Sequence, residues 1–226
     1  LIGVTRFFRD QEAFDKLDES VVEKMLKDTQ SGQDVRIWVA ACATGEEAYS
    51  IAILFDEAIR KQKKHVNVKI FATDINNQSL DFASRAQYSK ERLVGVTEER
   101  LERYFVWTDP YYEVVPRIRQ LVVFAPHNLT RDPPFTRIDL ITCRNFLIYM
   151  EPTAQRKILS LFHFGLKTGG VLFLGPSEVC DDVGDGFEIV ENQWKIFRKS
   201  REGHLPDDMR SQFVTGSKTR EMARGN

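Results

Sequence analysis

A loop of small residues between a strand and a helix has the clearest chemical signature in this sequence. The run VRIWVAACATGEEAYSIAIL (35–54) indicates a strand, the loop and a helix in that order. Small residues such as Ala41 and Gly45 let the backbone pass close to a ligand at the carboxyl end of the strand, where open α/β sheets bind their ligands. The next strand pattern ends at Asp74, and a carboxylate there can accept hydrogen bonds from both ribose hydroxyls of an adenosine. These residues predict a site for a cofactor that contains adenosine.

The same loop discriminates between such cofactors. It has neither the GxGxxG pattern of dinucleotide folds nor the lysine of a Walker loop. Glu46 and Glu47 begin the helix instead, where they would repel a phosphate. Carboxylates in that position suit a sulfonium, an ammonium or a ribose, which favours S-adenosylmethionine over NAD or ATP. The alternative is that both glutamates only complement the helix dipole.

Strand and helix patterns alternate around this loop. Apolar spacing predicts helices at 11–28, 46–61, 77–86, 97–104 and 153–166, strands at 35–41, 66–73, 121–125, 137–143 and 171–174, and a hairpin of 187–190 with 194–198. This alternation predicts an α/β fold with a mostly parallel sheet and helices on both faces. Residues 167–170 predict a glycine cap after the last helix.

The domain organisation follows from where this alternation stops. Aromatic and β-branched residues broken by prolines predict short antiparallel strands inserted at about 104–120. We expect one domain over 1–199. The polar stretch 200–226 lacks periodicity, so we expect a flexible tail or linker there. The first residue is leucine rather than methionine, which suggests a piece of a longer protein.

Composition excludes several other classes of protein. The chain has 226 residues, 42% hydrophobic and 29% charged, with a net charge of −1, so it offers nucleic acid no basic field. It has neither the apolar run of a membrane helix nor a signal peptide, so we expect a cytoplasmic protein without membrane insertion. Cys42, Cys143 and Cys180 are widely spaced and indicate reduced thiols. The histidines and cysteines show no ligand spacing, and we expect no metal.

Several segments, taken in order, resemble a known family. They are TRFFRD (5–10), AACATGEEAYS (40–50), ATDIN (72–76), HNL (127–129), CRNFLIYM (143–150) and GGVLFLGPSE (169–178). Together they are similar to the successive motifs of the chemotaxis-receptor glutamate methyltransferases, the CheR family, over about residues 3–198. The resemblance implies a class I S-adenosylmethionine methyltransferase fold, Rossmann-like, with a small antiparallel β-subdomain. HNLTRDPPF and FLGPSE resemble the variants fused to methylesterase and sensor domains.

The resemblance also implies roles for particular residues. Arg9 matches an arginine close to the reacting methyl and the substrate carboxylate, and Tyr149 matches a tyrosine beside that methyl. The other matches are cofactor contacts: Thr5 in the closing segment, Ala41 in the loop, Glu47 near the methionine and ribose, Asp74 at the ribose, Asn128 and Leu129 on the adenine side, and Asn145 and Phe146 after the fourth strand. The alternatives are that residues 1–10 are a frayed terminus and that Tyr149 is a core aromatic.

Two departures from the family pattern bear on binding. Gly3 stands where the family commonly has a polar cofactor contact such as asparagine. The helical domain that precedes TRFFRD in the family does not precede it in this sequence, which we expect to weaken substrate docking. The short connection 117–124 resembles members that do not need a receptor's C-terminal pentapeptide.

The tetrapeptide DPPF (132–135) resembles the catalytic motif of DNA amino-methyltransferases. In those enzymes the motif follows the fourth strand, whereas here it precedes that strand and CRN follows it. The near-neutral charge also disfavours a DNA substrate. We therefore expect DPPF to form a rigid turn.

The family's reaction is transfer of the sulfonium methyl to glutamate side chains of chemoreceptor cytoplasmic domains. A carboxylate with a pKa of about 4.3 is already ionised at neutral pH, so the reaction needs no general base. Catalysis would come from positioning and desolvation, with Arg9 orienting the carboxylate and Tyr149 holding the donor geometry. Two alternatives stay open: a methyltransferase for another protein or a small molecule, and a non-catalytic module that senses the cofactor or scaffolds a signalling complex.

Overall fold

A seven-stranded sheet forms the centre of the computed structural model, which describes residues 5–178 and 186–202. The strands of the chain are β1 (Asp34–Ala40), β2 (Asn67–Asp74), β3 (Gln87–Tyr88), β4 (Phe105–Thr108), β5 (Tyr111–Val114), β6 (Val122–Pro126), β7 (Ile138–Cys143), β8 (Leu166–Leu174), β9 (Phe187–Glu191) and β10 (Ile196–Lys199). The central order is β6-β2-β1-β7-β8-β10-β9. The first five strands of that order are mutually parallel, and β10 is antiparallel to both of its neighbours. The predicted class I α/β fold and the hairpin are therefore confirmed.

Helices cover both faces of this sheet. They are α1 (Gln11–Leu17), α2 (Glu23–Asp28), α3 (Glu46–Gln62), α4 (Asn77–Arg85), α5 (Glu98–Tyr104), α6 (Pro116–Arg119) and α7 (Pro152–Gly165). A π-helical turn at Asp18–Val22 joins α1 to α2, so the predicted helix over 11–28 is interrupted but not ended. Side chains of α1 and α3 pack in one hydrophobic cluster, and those of α7 pack with Trp38 in another. Each face of the sheet therefore has its own core.

The end of α7 differs from the sequence prediction. The predicted glycine cap at 167–170 is wrong, because α7 ends at Gly165 and β8 begins at Leu166. Leu166 is buried and pairs with Ile138, whereas the next pairing joins Val171 to Leu140. The intervening residues form a bulge in which Gly169 has a φ of 83°. The buried Leu166 thus brings the chain into the sheet before the glycines can end the helix.

The small antiparallel sheet is present and has the order β3-β5-β4. Its hairpin, β4 and β5, lies inside the predicted insert. Its third strand, β3, precedes α5, and no apolar pattern indicated it because it is only two residues long. Tyr88 of β3 is fully buried, whereas Trp107 of β4 is about half exposed. One side of the small sheet therefore packs against the main domain.

The order of the central sheet fixes where a ligand can bind. From β1 the chain proceeds outward through β2 to β6, and then crosses back to β7 on the other side of β1. A crevice opens at such a reversal, beyond the carboxyl ends of the strands. The segments after β1, β2, β6, β7 and β8 all lie at this edge, and they contain most of the residues singled out from the sequence.

Some expectations fall outside the described residues, namely those for Gly3, for Cys180 and for the tail from 203 onward. Cys42 and Cys143 are buried free thiols. In the described ranges no helix has the length and apolar character of a membrane span. Within those same ranges no group of three or more histidine, cysteine or acidic side chains could hold a metal ion.

Candidate functional site

The loop after β1 turns sharply through left-handed backbone conformations. Ala41, Ala43 and Gly45 have φ values of 54°, 46° and 91°. The Cys42 amide donates to the Thr73 carbonyl at 2.9 Å, which joins the loop to the end of β2. Positive φ is uncommon for any residue with a Cβ and least tolerated by β-branched or bulky residues, so alanine and glycine suit such a path. The small residues predicted to approach a ligand are thus also the residues that shape the loop.

Asp74 lies at the carboxyl end of β2 and supports this loop. Its Oδ2 accepts the Ala43 amide at 2.9 Å, and its Oδ1 accepts the Asn76 amide at 2.9 Å. A carboxylate has about four acceptor positions, so each oxygen can still accept another donor such as a ribose hydroxyl. Asp74 therefore stands where the sequence predicted it and has a structural role as well.

Glu47 in the first turn of α3 contacts the neighbouring strand β7. Thr142 donates its hydroxyl to Glu47 Oε1 at 2.6 Å, and an Arg144 nitrogen lies 3.8 Å from Oε2. Burial raises the pKa of the Glu47 carboxyl above its ordinary value, and Arg144, the Thr142 hydroxyl and Arg9 oppose that rise. A positive ligand group here would replace the lost hydration of a buried carboxylate.

Glu46 corrects the electrostatic interpretation of the loop. Both glutamates were expected to make the helix start repel phosphate, but Glu46 is fully buried and its Oε1 accepts a hydrogen bond from Arg92 at 2.6 Å. Because Arg92 compensates its charge, Glu46 adds little negative potential to the crevice. Glu47 and Asp74 are the acidic side chains that remain for a cofactor around this loop.

Arg144 connects the edge of the sheet to the N-terminal segment. Its side chain is 0% exposed, and its nitrogens donate to the Arg9 carbonyl at 3.0 Å and to Asp10 Oδ2 at 2.8 Å. The guanidinium carbon lies 5.3 Å from the ring centroid of Phe14 and 4.7 Å from that of Phe173. Such contacts stabilise a buried guanidinium.

The segment TRFFRD is firmly attached to the domain, so the frayed-terminus alternative is wrong for residues 5–10. Phe7 and Phe8 are buried, and the Phe8 amide donates to Ser50 Oγ at 2.9 Å. Thr5 and Arg9 are half-buried. Arg9 lies close enough to Glu47 to oppose the rise in the pKa of that carboxyl, as noted above. The fold thus brings the predicted catalytic arginine to the edge where the cofactor loop lies.

The turn after β7 contains Asn145 and Phe146. Asn145 has a φ of 57°, and its buried Oδ1 has no hydrogen-bond partner among the described residues. The Phe146 amide donates to Glu178 Oε1 at 2.9 Å. Burial raises the pKa of the Glu178 carboxyl, and that amide opposes the rise. The GPSE segment after β8 therefore holds this turn in place.

Asn128 and Leu129 follow β6 at the same edge. The His127 amide donates to the Asp74 carbonyl at 3.0 Å, which sets this turn beside β2. Asn128 Oδ1 accepts the Thr130 amide at 2.9 Å. Leu129 is buried in the cluster that contains Trp38. A contact of Leu129 with the adenine stays a prediction.

The DPPF tetrapeptide supports the turn after β6. Asp132 Oδ2 accepts the Asn128 amide at 2.7 Å, and the Pro133 carbonyl lies 3.0 Å from His127 Nε2. Phe135 stacks on Phe71 with their ring centroids 5.2 Å apart. These contacts give DPPF a structural role as a packed connection that precedes β7.

Tyr149 ends a 3₁₀ turn, Leu147–Tyr149, at the surface. It is 62% exposed, so the core-aromatic alternative is wrong. Gln155 of α7 donates to the carbonyls of Leu147 and Met150 at 3.0 and 2.9 Å, which fixes the turn. The tyrosine ring is therefore available to a substrate while its backbone is held.

Sequence reasoning missed Thr142, Arg144 and Glu178, although all three lie in or beside segments that carried the family resemblance. The signal was available for Arg144, because a charged residue directly after a buried strand is the same pattern that identified Asp74. Arg92 gave no such signal, since 46 residues separate it from Glu46.

The residues at this edge fit S-adenosylmethionine. Asp74 suits the ribose, Glu47 is a carboxylate for a cationic group, and Asn145 Oδ1 is a buried acceptor that lacks a donor among the described residues. An ammonium would supply that donor, and an unmet buried acceptor is otherwise costly. These three groups are thus acidic or neutral hydrogen-bond acceptors, which suit a sulfonium cofactor.

We predict that Asp74→Ala weakens S-adenosylmethionine binding by about 1.5–3 kcal/mol, because a charged hydrogen bond to the ribose is lost. Calorimetry measures the affinity, and a thermal melt verifies the fold. A 2′-deoxyribose analogue of the cofactor separates ribose contact from loop support, since interacting groups give non-additive losses. Unchanged affinity in Asp74→Ala would show that Asp74 only supports the loop.

Known proteins resemble this chain closely enough to show its family. The family described as CheR methyltransferase, SAM binding domain, matches residues 3–196. An uncharacterized 104.1 kDa protein of Rhodobacter capsulatus is 42% identical over 91% of this chain, which spans only 22% of that protein. Chemotaxis protein methyltransferase 1 of Pseudomonas aeruginosa is 36% identical over 83% of this chain and 70% of its own length.

A solved structure is also similar to this chain. A TehB-like SAM-dependent methyltransferase of Corynebacterium glutamicum is 15% identical, covers 84% of this chain and 96% of its own, and has a TM-score of 0.45. The family assignment comes instead from the match over residues 3–196 and from the sequence relatives. The chain belongs to the CheR methyltransferase family, whose S-adenosylmethionine-binding domain it contains, and S-adenosylmethionine is its cofactor.

Proposed function

We propose that this chain transfers a methyl group to glutamate side chains of chemoreceptor cytoplasmic domains and forms glutamyl methyl esters. The observation that carries the proposal is the cation Arg9, which the bonds of Arg144 to the Arg9 carbonyl and to Asp10 hold at the edge of the cofactor crevice. These bonds hold the Arg9 backbone, and a guanidinium suits a carboxylate acceptor. Relatives named chemotaxis protein methyltransferases in Pseudomonas aeruginosa and Vibrio cholerae support the same substrate class.

A carboxylate acceptor also fits the described part of the site, where no histidine is placed to act as a base. His127 is the histidine that follows a strand at this edge, but its ring lies against Trp38 and its Nε2 is within hydrogen-bond distance of the Pro133 carbonyl. An amine acceptor would arrive protonated and would have to lose a proton, whereas a glutamate arrives ionised. The described residues therefore favour an ester product over a methylated amine.

The mechanism is an in-line displacement that moves no proton. When bound, S-adenosylmethionine would supply an electrophilic methyl, and S-adenosylhomocysteine would leave as the methyl–sulfur bond is replaced by a bond to the glutamate oxygen. Arg9 orients the acceptor carboxylate, and a tight ion pair would reduce its nucleophilicity. The Tyr149 hydroxyl, on its fixed turn, holds the reacting groups in line. Positioning and the exclusion of water then account for the rate.

We further propose that the chain acts as the methyltransferase domain of a larger signalling protein in the cytoplasm. It spans 22% of the Rhodobacter relative, so most of that protein is other sequence. Methylesterase or sensor domains are the partners that the fused family variants suggest. The connection between β5 and β6 is mostly the short helix α6, which supports receptor docking without the C-terminal pentapeptide.

The product distinguishes this proposal from its alternatives. Receptor cytoplasmic fragments incubated with the protein and methyl-labelled cofactor should acquire label that mild alkali releases as methanol, because esters hydrolyse readily and methylated nitrogen does not. Alkali-stable label would contradict a carboxylate acceptor. No label, with cofactor binding intact, would favour the non-catalytic module.

Arg9 and Tyr149 should affect turnover more than cofactor affinity, since interactions made mainly in the transition state raise turnover. We expect Arg9→Ala to lower the single-turnover rate at least tenfold with a smaller change in cofactor affinity. Tyr149→Phe, which retains the exposed ring, should slow transfer without shifting the melting temperature. A fully active Arg9→Ala would show that TRFFRD takes no part in the reaction. A fully active Tyr149→Phe would show that the tyrosine hydroxyl takes no part in it.

A further inference from the structure

A cluster of Arg92, Thr44 and Glu46, which the reaction does not use, holds the cofactor loop where it joins α3. Arg92 donates from one guanidinium nitrogen to Glu46 Oε1 at 2.6 Å and to Thr44 Oγ1 at 3.1 Å. Thr44 in turn donates its hydroxyl to Glu46 Oε2 at 2.6 Å. The Arg92 guanidinium lies over the Phe82 ring, 4.9 Å from its centroid. Both oxygens of a fully buried carboxylate are thus bonded where the loop enters α3.

A second contact holds the same short stretch of the loop. The Tyr88 hydroxyl donates to the Thr44 carbonyl at 2.8 Å. At Gly45 an added Cβ would lie 2.8 Å from Ala83 Cβ and 3.1 Å from the Tyr88 hydroxyl oxygen. The loop therefore has no room on this side, and Tyr88 contacts it both by a hydrogen bond and by packing.

Both donors come from the small antiparallel sheet and its flanking turn, and not from the central sheet. Tyr88 belongs to β3 of the small antiparallel sheet, and Arg92 belongs to the 3₁₀ turn Lys90–Leu93 that follows it. Phe7 of TRFFRD packs edge-on against Tyr88 with ring centroids 4.9 Å apart. The small sheet and its flanking turn are in this way bonded to the loop that approaches the cofactor.

We infer that Arg92 and Tyr88 are positioning residues, which fix the 43–46 loop in its cofactor-binding conformation. Ala43 and Gly45 have positive φ, and such backbone persists where surrounding contacts over-determine it. Without Arg92, the buried Glu46 carboxylate lacks its compensating charge, and burying an unpaired charge is strongly unfavourable. The inference rests on cofactor binding at this loop and not on the identity of the methyl acceptor.

Calorimetry with S-adenosylmethionine tests the inference directly. Arg92→Met should weaken the affinity at least tenfold. It should leave turnover at saturating cofactor within about twofold, because Arg92 does not touch the reacting atoms. Arg92→Lys, which keeps the charge, should recover part of the affinity. Adding Glu46→Gln to Arg92→Met should recover part as well, since it removes the unpaired buried charge.

Two further variants keep the test decisive. Arg103→Met is the matched control, because Arg103 pairs with the exposed Glu99 within α5. The affinity of this variant for S-adenosylmethionine should stay unchanged.

If Arg92→Met does not fold, Tyr88→Phe replaces it in the test. Tyr88→Phe retains the buried ring, removes only the bond to Thr44 and should still lower the cofactor affinity severalfold. Wild-type affinity in a folded Arg92→Met, or in Tyr88→Phe when Arg92→Met does not fold, would overturn the inference. Absence of ester formation by the wild-type protein would contradict only the proposed function, because the inference is tested by cofactor affinity.

Discussion

The Arg144 guanidinium is fully buried at the carboxyl end of β7, and it bonds to parts of the chain that are distant in sequence. Arg9 and Asp10 lie 135 and 134 residues before it, and Glu47 approaches it from the start of α3. Removing an arginine from water costs several kcal/mol unless its donors find acceptors and its face finds aromatic rings. That requirement attaches the N-terminal segment to the sheet edge, and with it the predicted catalytic Arg9.

Arg144 can organise this edge because several carboxylates surround it. Glu47 and Glu178 are carboxylates whose pKa values burial raises, and Arg144 opposes the rise at both. Asp74 accepts backbone amides, and Arg92 compensates Glu46. The crevice thus keeps a modest negative character without an unstable accumulation of charge, which suits a sulfonium cofactor better than a phosphate.

The central sheet, the loop at 41–45 and Asp74 could be predicted from local sequence, because strand burial, small residues and a terminal carboxylate are each visible within a few positions. The pairing of Arg92 with Glu46 could not be predicted in this way, because it depends on how the turn after β3 folds back on the main domain. The glycine cap at 167–170 failed for the same reason, because pairing of Leu166 with Ile138 overrode a local signal. The fold brings Arg9 to the cofactor edge and leaves Tyr149 exposed, and the catalytic roles of both residues stay predictions.

Hydrogen exchange in Arg144→Met, combined with cofactor titration, tests most directly whether the buried guanidinium assembles the site. Methionine keeps much of the side-chain volume and removes the donors, so the central strands should stay protected. The account predicts that the Phe8 amide, which bonds to Ser50, loses its protection from exchange. It also predicts that the cofactor affinity falls more than tenfold, which is a loss of more than about 1.4 kcal/mol of binding free energy. Unchanged protection at Phe8 together with unchanged affinity would contradict it.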